Sequence, residues 1–187
     1  KYFRRDIKQF IQGPYIKSDK SIDADIAAQI SKFNKTKKIG ISWKSVFNIY
    51  GGLKSLKLED FHKIFNNKRT IFNIQYGDVD DDLKKLNNEG YFVYNFQNYD
   101  LFNNFEALIS ILKNIDVFVT VSNSTAHFSA ALGVPTILIC PKKTSTYYYW
   151  DYEDGKTPWY SSVKIITFQG SINKTIDIVN DLIDSTP

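Results

Sequence analysis

Short runs of apolar, β-branched and aromatic residues recur along the chain, and turn-forming residues bound most of them. Runs of this composition and length are typical of buried β-strands. The sequence predicts six strands, at residues 38–43, 70–76, 91–96, 116–121, 135–140 and 163–168.

Between these runs the apolar residues are spaced three or four positions apart, which predicts helices. The clearest pattern runs from Phe105 to Ile115, and similar patterns lie at 22–33, 58–65, 79–86 and 172–183. Strands that alternate with helices indicate parallel strands joined by right-handed crossovers, with helices on both faces of the sheet. The predicted fold is therefore α/β: a Rossmann-like three-layer domain with a six-stranded, mainly parallel sheet. It spans residues 37–187, after a linker and leading helix at 1–36.

Length and composition narrow the class of protein. A chain of 187 residues suffices for one α/β domain, and no apolar run approaches the ~18 residues that a membrane span needs. The single cysteine, Cys140, closes an apolar run, so we expect a buried thiol in a protein of the reducing cytoplasm. The sequence contains no methionine, so we expect it to be a piece of a longer protein.

Charge is distributed unevenly along the chain. Residues 1–70 carry 16 Lys and Arg against 6 Asp and Glu, whereas residues 71–187 carry 8 against 14. A basic first third suits an anionic ligand such as a diphosphate, although solvated helix faces would give the same pattern. The basic residues form no stripe interleaved with aromatic residues, so a nucleic-acid partner is not predicted.

Ligands of doubly wound sheets bind beyond the carboxyl ends of the strands. The fourth predicted strand is followed by Ser122–His127, which opens a helix predicted to end at Gly133. Small residues at a helix start leave N–H groups that receive phosphate, although ordinary capping uses the same residues. The first predicted strand is followed by Lys44 and then by Lys54, beyond a Gly-Gly loop. Either lysine could reach a phosphate, and either could equally be solvated.

These segments resemble the nucleotide-binding signature of the ADP-heptose lipopolysaccharide heptosyltransferases, glycosyltransferase family 9. They are still more similar to the related glycosyltransferase domains fused to tetratricopeptide repeats. Order and spacing match from about Pro14 to the end of the chain. The resemblance rests on 40–43, 54–58, 105–109, 116–127, 130–135 and 157–160.

The resemblance implies the carboxyl-terminal half of a GT-B enzyme, which binds a nucleoside diphosphate sugar and transfers the sugar with inversion and without a metal or other cofactor. An N-terminal acceptor-binding domain, with or without tetratricopeptide repeats, would be its partner. Lys54 would be catalytic, because its charge would neutralise the leaving phosphate. The residues expected at the diphosphate are Ser42, Lys44, Asn123, Ser124, Thr125, Ala126 and His127. Those expected at the nucleoside are Gln75, Tyr76 and Asp100.

Two departures from the family pattern keep an alternative open. The family often has Asp-Thr at the position of Ser122 and Asn123, and often has Arg at the position of Lys54. The alternative is a non-catalytic α/β module that binds a nucleotide or a partner and has lost transfer activity.

Two features of the sequence have a structural interpretation beside the functional one. His127 could donate to a phosphate oxygen or be satisfied internally, whereas His62 is predicted to lie at the surface. Asp78-Val79-Asp80 mimics a metal-binding Asp-x-Asp, but acidic residues also favour a helix start through the helix dipole. We interpret this segment as a helix start, and no metal is predicted.

Overall fold

The computed structural model of the chain describes residues 13–18, 20–46, 51–140, 149–150 and 157–187. Most of the aromatic-rich segment between the last two predicted strands lies outside these residues. The helices are α1 (Lys20–Ser31), α2 (Gly51–Lys54), α3 (Asp80–Asn88), α4 (Phe105–Lys113), α5 (Ser124–Leu132) and α6 (Ile172–Ser185), with a 3₁₀ helix at Leu58–Ile64. The strands are β1 (Lys37–Ser42), β2 (Arg69–Asn73), β3 (Val117–Val121), β4 (Thr136–Cys140) and β5 (Val163–Thr167).

The five strands form one parallel sheet in the order β2-β1-β3-β4-β5. Ile39 of β1 pairs with Ile71 on one side and with Val117 on the other. The chain therefore leaves β1 towards one edge of the sheet to form β2, and then returns to the other side of β1 to form β3. Open α/β sheets bind ligands where the strand order reverses in this way, which here is the crevice between β1 and β3.

The prediction of a sixth strand at 91–96 is wrong, because this segment makes a single bridge, between Tyr94 and Phe72 of β2. The Tyr94 N–H donates to Ile71 O at 2.8 Å, and Asn73 N–H donates to Tyr94 O at 2.8 Å. Beyond that bridge, β2 and the segment at 91–96 are joined through side chains, because Asn73 Nδ2 donates to Asn95 Oδ1 at 2.9 Å. The alternation that predicted a strand thus packs Tyr94 and Phe96 against the core without extending the ladder.

Helices cover both faces of the sheet, as the sequence predicted. One face packs against α3, α6 and the 3₁₀ helix, and the other against α1 and α4. Gly40 lies on the second face, where a Cβ would come within 2.6 Å of Ile115 Cδ1 and 2.9 Å of Ile74 Cγ1. Only a glycine therefore lets these side chains rest directly on β1. The buried residues of the first face include Ile39, Ile41, Phe61, Leu83, Leu86, Ile176, Val179 and Ile183, and those of the second include Ile26, Ile30, Phe72, Leu108, Leu112 and Phe118.

Polar contacts join α1 to α4 at the edge of this second layer. The Ser110 hydroxyl donates to Asp23 Oδ1 at 2.5 Å, and Lys113 Nζ pairs with Asp23 Oδ2 at 2.5 Å. Burial alone would raise the pKa of Asp23, but the hydrogen bonds from Lys113, Ser110 and Ser18 outweigh it and lower that pKa to about 2. The leading helix is thus an integral part of the layered domain.

Helix α5 packs on β4 through small residues. Ala126 and Ala130 contact a cluster that includes Leu138 and Cys140, and Cys140 is 1% exposed, which confirms the expected burial of the thiol. The helix ends at Gly133 as predicted, because Gly133 adopts φ 78°, a left-handed conformation that favours glycine. Among the residues that the structure describes, no helix has both the length and the apolar character needed to cross a bilayer.

Candidate functional site

A cavity of about 830 Å³ lies beyond the carboxyl ends of β1 and β3, at the reversal of strand order. This volume falls in the range of small-molecule sites. Its polar wall is formed by Ser122–Thr125 with Lys54, and its apolar wall by Leu101, Phe102, Phe105, Leu108 and Phe128. A ligand that fits both walls combines a polar or anionic part with a flat or apolar part.

Asn123 fastens the start of α5 to the end of β1. Its Oδ1 caps the helix by accepting from Ala126 N–H at 3.0 Å, while its Nδ2 donates to Ser42 Oγ at 2.8 Å and to Lys44 O at 3.3 Å. The N–H of Ala126 is therefore occupied within the protein. The N–H groups of Ser124 and Thr125 have no partner inside the helix, because the first turn of a helix lacks preceding carbonyls. They stand at the positive end of the α5 dipole.

Thr125 is the one residue in the described part of the chain whose buried side-chain polar atom lacks a hydrogen-bond partner. The residue is 0% exposed, and it lines the cavity from the second position of α5. An unsatisfied buried hydroxyl costs about 1–3 kcal/mol, so such groups are rare in native proteins. An acceptor oxygen of a ligand at the start of α5 would satisfy this hydroxyl.

Gln75 and Ser42 do not line the main cavity. They hold the loops whose residues line it. Gln75 Oε1 accepts from Ser42 Oγ at 2.9 Å, from Trp43 N–H at 2.9 Å and from Lys44 N–H at 2.7 Å. The amide nitrogen of Gln75 donates to Tyr76 O at 3.0 Å. Both side chains are buried and engaged within the protein, so they fix the shape of the two loops that follow β1 and β2.

The two lysines that the sequence left equivalent occupy different places. Lys54, the last residue of α2, is 6% exposed and lines the cavity. Lys44 instead forms an ion pair with Asp82 in the first turn of α3, and Asp82 also accepts from Trp43 Nε1 at 3.1 Å. Of these two cations, the structure brings Lys54 to the cavity.

His127 lies in the first turns of α5 and also lines the cavity. Its ring stacks on Trp150 with 4.3 Å between centroids, and its Nδ1 lies 3.1 Å from the Tyr160 hydroxyl. Burial lowers the pKa of His127, which favours the neutral imidazole. Trp150 Nε1 in turn donates to Ser122 Oγ at 3.0 Å. Ser122 is thus hydrogen-bonded to Trp150, which forms an aromatic cluster with His127 and Tyr160. The resembling family often has aspartate at this position.

Two residues of the apolar wall, Phe102 and Phe105, were missed by sequence reasoning. Phe102 and Phe105 are 56% and 51% exposed, and they lie beside Tyr76 and Phe128 with ring centroids 5.8 and 5.3 Å apart respectively. Asp100 shapes the turn that presents Phe102, because its carboxylate accepts from the Phe102 N–H at 2.9 Å. The signal was present in the run Leu-Phe-Asn-Asn-Phe at 101–105, where large apolar residues interrupt a polar turn.

The predicted nucleoside-binding residues divide between two adjoining cavities. Tyr76 borders both the main cavity and a smaller one of about 380 Å³, whereas Gln75 and Asp100 border the smaller one. Two of the three predicted nucleoside-binding residues, Gln75 and Asp100, therefore lie beside the main cavity and do not line it.

The acidic segment at 78–82 has the geometry of a helix start. Asp78 Oδ1 accepts from Asp80 N–H at 3.2 Å, and α3 begins at Asp80. Within the described ranges, no group of three or more His, Cys, Asp or Glu side chains is arranged to hold a metal ion.

Comparison with known proteins supports the fold. No family model matches the chain. Escherichia coli ADP-heptose lps heptosyltransferase II superposes with a TM-score of 0.63, at 14% identity over 97% of this chain and 57% of that chain. The chain has the fold of a GT-B glycosyltransferase domain.

One further structure shares this fold, and one curated protein is similar in sequence. The glycosyl transferase family 9 protein of Veillonella parvula superposes with a TM-score of 0.59, at 11% identity over 94% of this chain and 47% of that chain. Protein FlbA of Caulobacter vibrioides is 23% identical over 155 residues, which are 80% of this chain and 25% of FlbA. The chain thus spans a quarter of FlbA and about half of each structural neighbour.

Proposed function

We propose that this chain binds a nucleoside diphosphate sugar and forms the donor-binding half of a glycosyltransferase, with the diphosphate at the start of α5. The observation that carries the proposal is the unpartnered, fully buried hydroxyl of Thr125 at a helix N-terminus inside the cavity. A phosphate oxygen accepts hydrogen bonds and carries negative charge, so it suits both the hydroxyl and the positive end of the helix.

The remaining residues supply the other parts of such a site. The N–H groups of Ser124 and Thr125 hold the diphosphate, and Lys54 offsets the charge that builds up on it as the bond to the sugar breaks. The nucleoside lies against Phe102 and Tyr76, whose rings are exposed to the cavity on the opposite wall.

Transfer itself needs groups that we assign to an N-terminal domain of the full protein. That domain holds the acceptor and supplies the base, and it carries tetratricopeptide repeats as in the resembling family. Transfer proceeds with inversion, as the resemblance implies. It needs no metal, because N–H groups and Lys54 take the role that a cation plays at other diphosphate sites. We place this activity in the cytoplasm, where a chain with one buried cysteine needs no disulfide.

The test of the binding site uses a charge change that leaves the fold intact. Ser124→Asp puts a carboxylate at the exposed first position of α5, which suits the helix dipole but repels a diphosphate. Asn173→Asp makes the same change in the first turn of α6, away from the cavity, and is the matched control. Thermal melts follow UDP, ADP and GDP, with uridine and adenosine as ligands that lack phosphate.

We expect a nucleoside diphosphate at 100 times its dissociation constant to stabilise the wild-type protein and the control by about 2.7 kcal/mol. Ser124→Asp should melt normally and lose this response. If millimolar nucleoside diphosphates shift no melt, or if Ser124→Asp responds like the control, the proposed site is wrong.

The hydrogen bond between Trp150 and Ser122 supports a second candidate function, a module that binds a nucleotide without transferring sugar. It places a hydroxyl, already engaged with an indole, where the resembling family often has a carboxylate. An assay that adds a radiolabelled donor sugar to the full-length protein and a cell extract containing acceptors separates the two functions. Transfer establishes the enzyme, and tight donor binding without transfer establishes the module.

A further inference from the structure

The imidazole of His127 contacts the phenol of Tyr160, which in turn contacts Tyr15 from a distant part of the chain. The Tyr160 hydroxyl lies 3.1 Å from His127 Nδ1, and the Tyr160 ring stacks on the ring of Tyr15 with 6.1 Å between centroids. Tyr15 is itself anchored on α5, because its backbone N–H donates to Ala131 O at 2.9 Å. Trp150 stacks on the imidazole with an interplanar angle of 23°, so the ring of His127 is held both in its plane and at one edge.

The chemistry of the two partners decides where the imidazole carries its proton. Burial raises the pKa of Tyr160, so its hydroxyl stays protonated. A phenol O–H is a stronger hydrogen-bond donor than an imidazole N–H, and an imidazole nitrogen is a stronger acceptor than a phenol oxygen, so the contact of 3.1 Å favours donation from Tyr160 to Nδ1. A neutral imidazole has one N–H and one acceptor nitrogen. When Tyr160 donates to Nδ1, the N–H must be at Nε2. Nε2 has no hydrogen-bond partner among the described residues, and the ring lines the cavity.

The geometry points to Tyr160 as a positioning residue that fixes His127 as the Nε2–H tautomer, so that the imidazole presents a hydrogen-bond donor to the cavity. The choice of ligand rests on the function proposed above: the donor would meet an oxygen of the diphosphate at the start of α5. Tyr160 touches no ligand in this arrangement and acts through the imidazole alone.

The chain carries its own reference for the experiment. It has two histidines, His62 and His127. His62 Nδ1 lies 2.9 Å from the carbonyl oxygen of Glu59, and a carbonyl oxygen can only accept a hydrogen bond. His62 must therefore carry its proton on Nδ1 when neutral. The two imidazoles of one protein are expected to be opposite tautomers.

Long-range ¹H–¹⁵N spectra of the uniformly labelled chain distinguish the two tautomers directly. Spectra are recorded at about pH 8.5, where imidazoles are neutral, and His62→Gln assigns the signals. We expect His127 as Nε2–H and His62 as Nδ1–H. Inorganic pyrophosphate, added as the simplest diphosphate, should shift Nε2 of His127 and leave both nitrogens of His62 in place.

Tyr160→Phe removes the hydroxyl and keeps the ring. It should turn His127 into a mixture of tautomers and weaken ADP or UDP binding by about twofold, because only about half of the imidazoles would then present an Nε2–H to the ligand. The matched control is Tyr94→Phe, because the Tyr94 hydroxyl donates to Gln29 Oε1 at 3.1 Å, outside the cavity. The control should change neither the His127 spectrum nor the affinity.

A wild-type His127 with its proton on Nδ1 would overturn the inference, even if nucleotides bind well. A Tyr160→Phe protein with an unchanged tautomer and unchanged affinity would overturn it as well. If no nucleoside diphosphate binds the wild type, the proposed function fails while the ligand-free spectrum still decides the role of Tyr160. If Tyr160→Phe does not fold, the wild-type spectrum decides alone, and Nε2–H supports the inference.

Discussion

Replacing Thr125 by valine should change stability and ligand binding in opposite directions. Valine has nearly the same shape as threonine, so the change removes a hydroxyl without leaving a large hole. In the ligand-free protein that hydroxyl is fully buried and lacks a partner. An unsatisfied buried group costs about 1–3 kcal/mol, and Thr125→Val should stabilise the fold by up to that amount. The melting temperature should rise by about 2–4 °C for each kcal/mol.

The bound state should respond the other way. If the Thr125 hydroxyl donates to a phosphate oxygen, its removal loses a hydrogen bond to a charged group, which is worth about 1.5–3 kcal/mol. The dissociation constant for ADP or UDP should then rise by roughly tenfold to more than a hundredfold. A gain of stability with a loss of affinity is the signature of a polar group that the fold retains for its ligand.

The assay pairs chemical denaturation with isothermal titration, and Thr175→Val is the matched control. Thr175 is equally buried near the start of α6, but its hydroxyl donates to Ser171 O at 2.9 Å and accepts from Gln169 N–H at 3.1 Å. Valine there should destabilise the fold by about 1–3 kcal/mol and leave nucleotide affinity unchanged. If Thr125→Val destabilises as Thr175→Val does and binds nucleotide normally, the hydroxyl has a partner within the protein and the reasoning fails.

Other consequences are open to measurement. Lys54→Ala should weaken ADP binding in calorimetry by tenfold or more, and Lys44→Ala much less, because its ion pair holds Lys44 on α3; equal losses would contradict this placement. Phe102→Ala should weaken ADP but not inorganic pyrophosphate, because stacking on a base is worth about 1–3 kcal/mol. EDTA should leave the affinity for ADP unchanged. Since the folded pKa of Asp23 is lowered to about 2, its stabilising effect is complete above about pH 4 and is lost as the pH falls through about 2; in acid denaturation curves, Asp23→Asn should flatten that limb.

Periodicity predicted the layered fold because burial fixes which faces are apolar. The spacing of the buried residues Leu108, Ile109 and Leu112 marks α4, and Gly133 marks the end of α5, both as observed. The segment at 91–96 shows the limit of this signal. Its side chains alternate as those of a strand do, but pairing depends on how long the backbone stays beside β2, and here it stays for one bridge. Past that bridge the contact is between the side chains of Asn73 and Asn95.

The start of α5 could be located from the sequence, because capping residues followed a buried strand. The division of work among the polar residues could not. Lys44 and Lys54 look alike in the sequence, and only the position of Asp82 in space separates them. Gln75 and Asn123 read as ligand contacts, yet their polar atoms hold backbone groups of other segments. These roles depend on contacts between residues far apart in the chain, which local patterns do not contain.

The three donors gathered by the single oxygen of Gln75 have a consequence for binding kinetics. Two of them, the N–H groups of Trp43 and Lys44, lie past the last residue of β1, so amide exchange there should be as slow as in a strand. The conformational entropy of the segment at Trp43 and Lys44 is therefore lost when the chain folds, before any ligand binds. Association should then proceed as docking onto a formed surface, with an on-rate set by diffusion and orientation rather than by loop rearrangement.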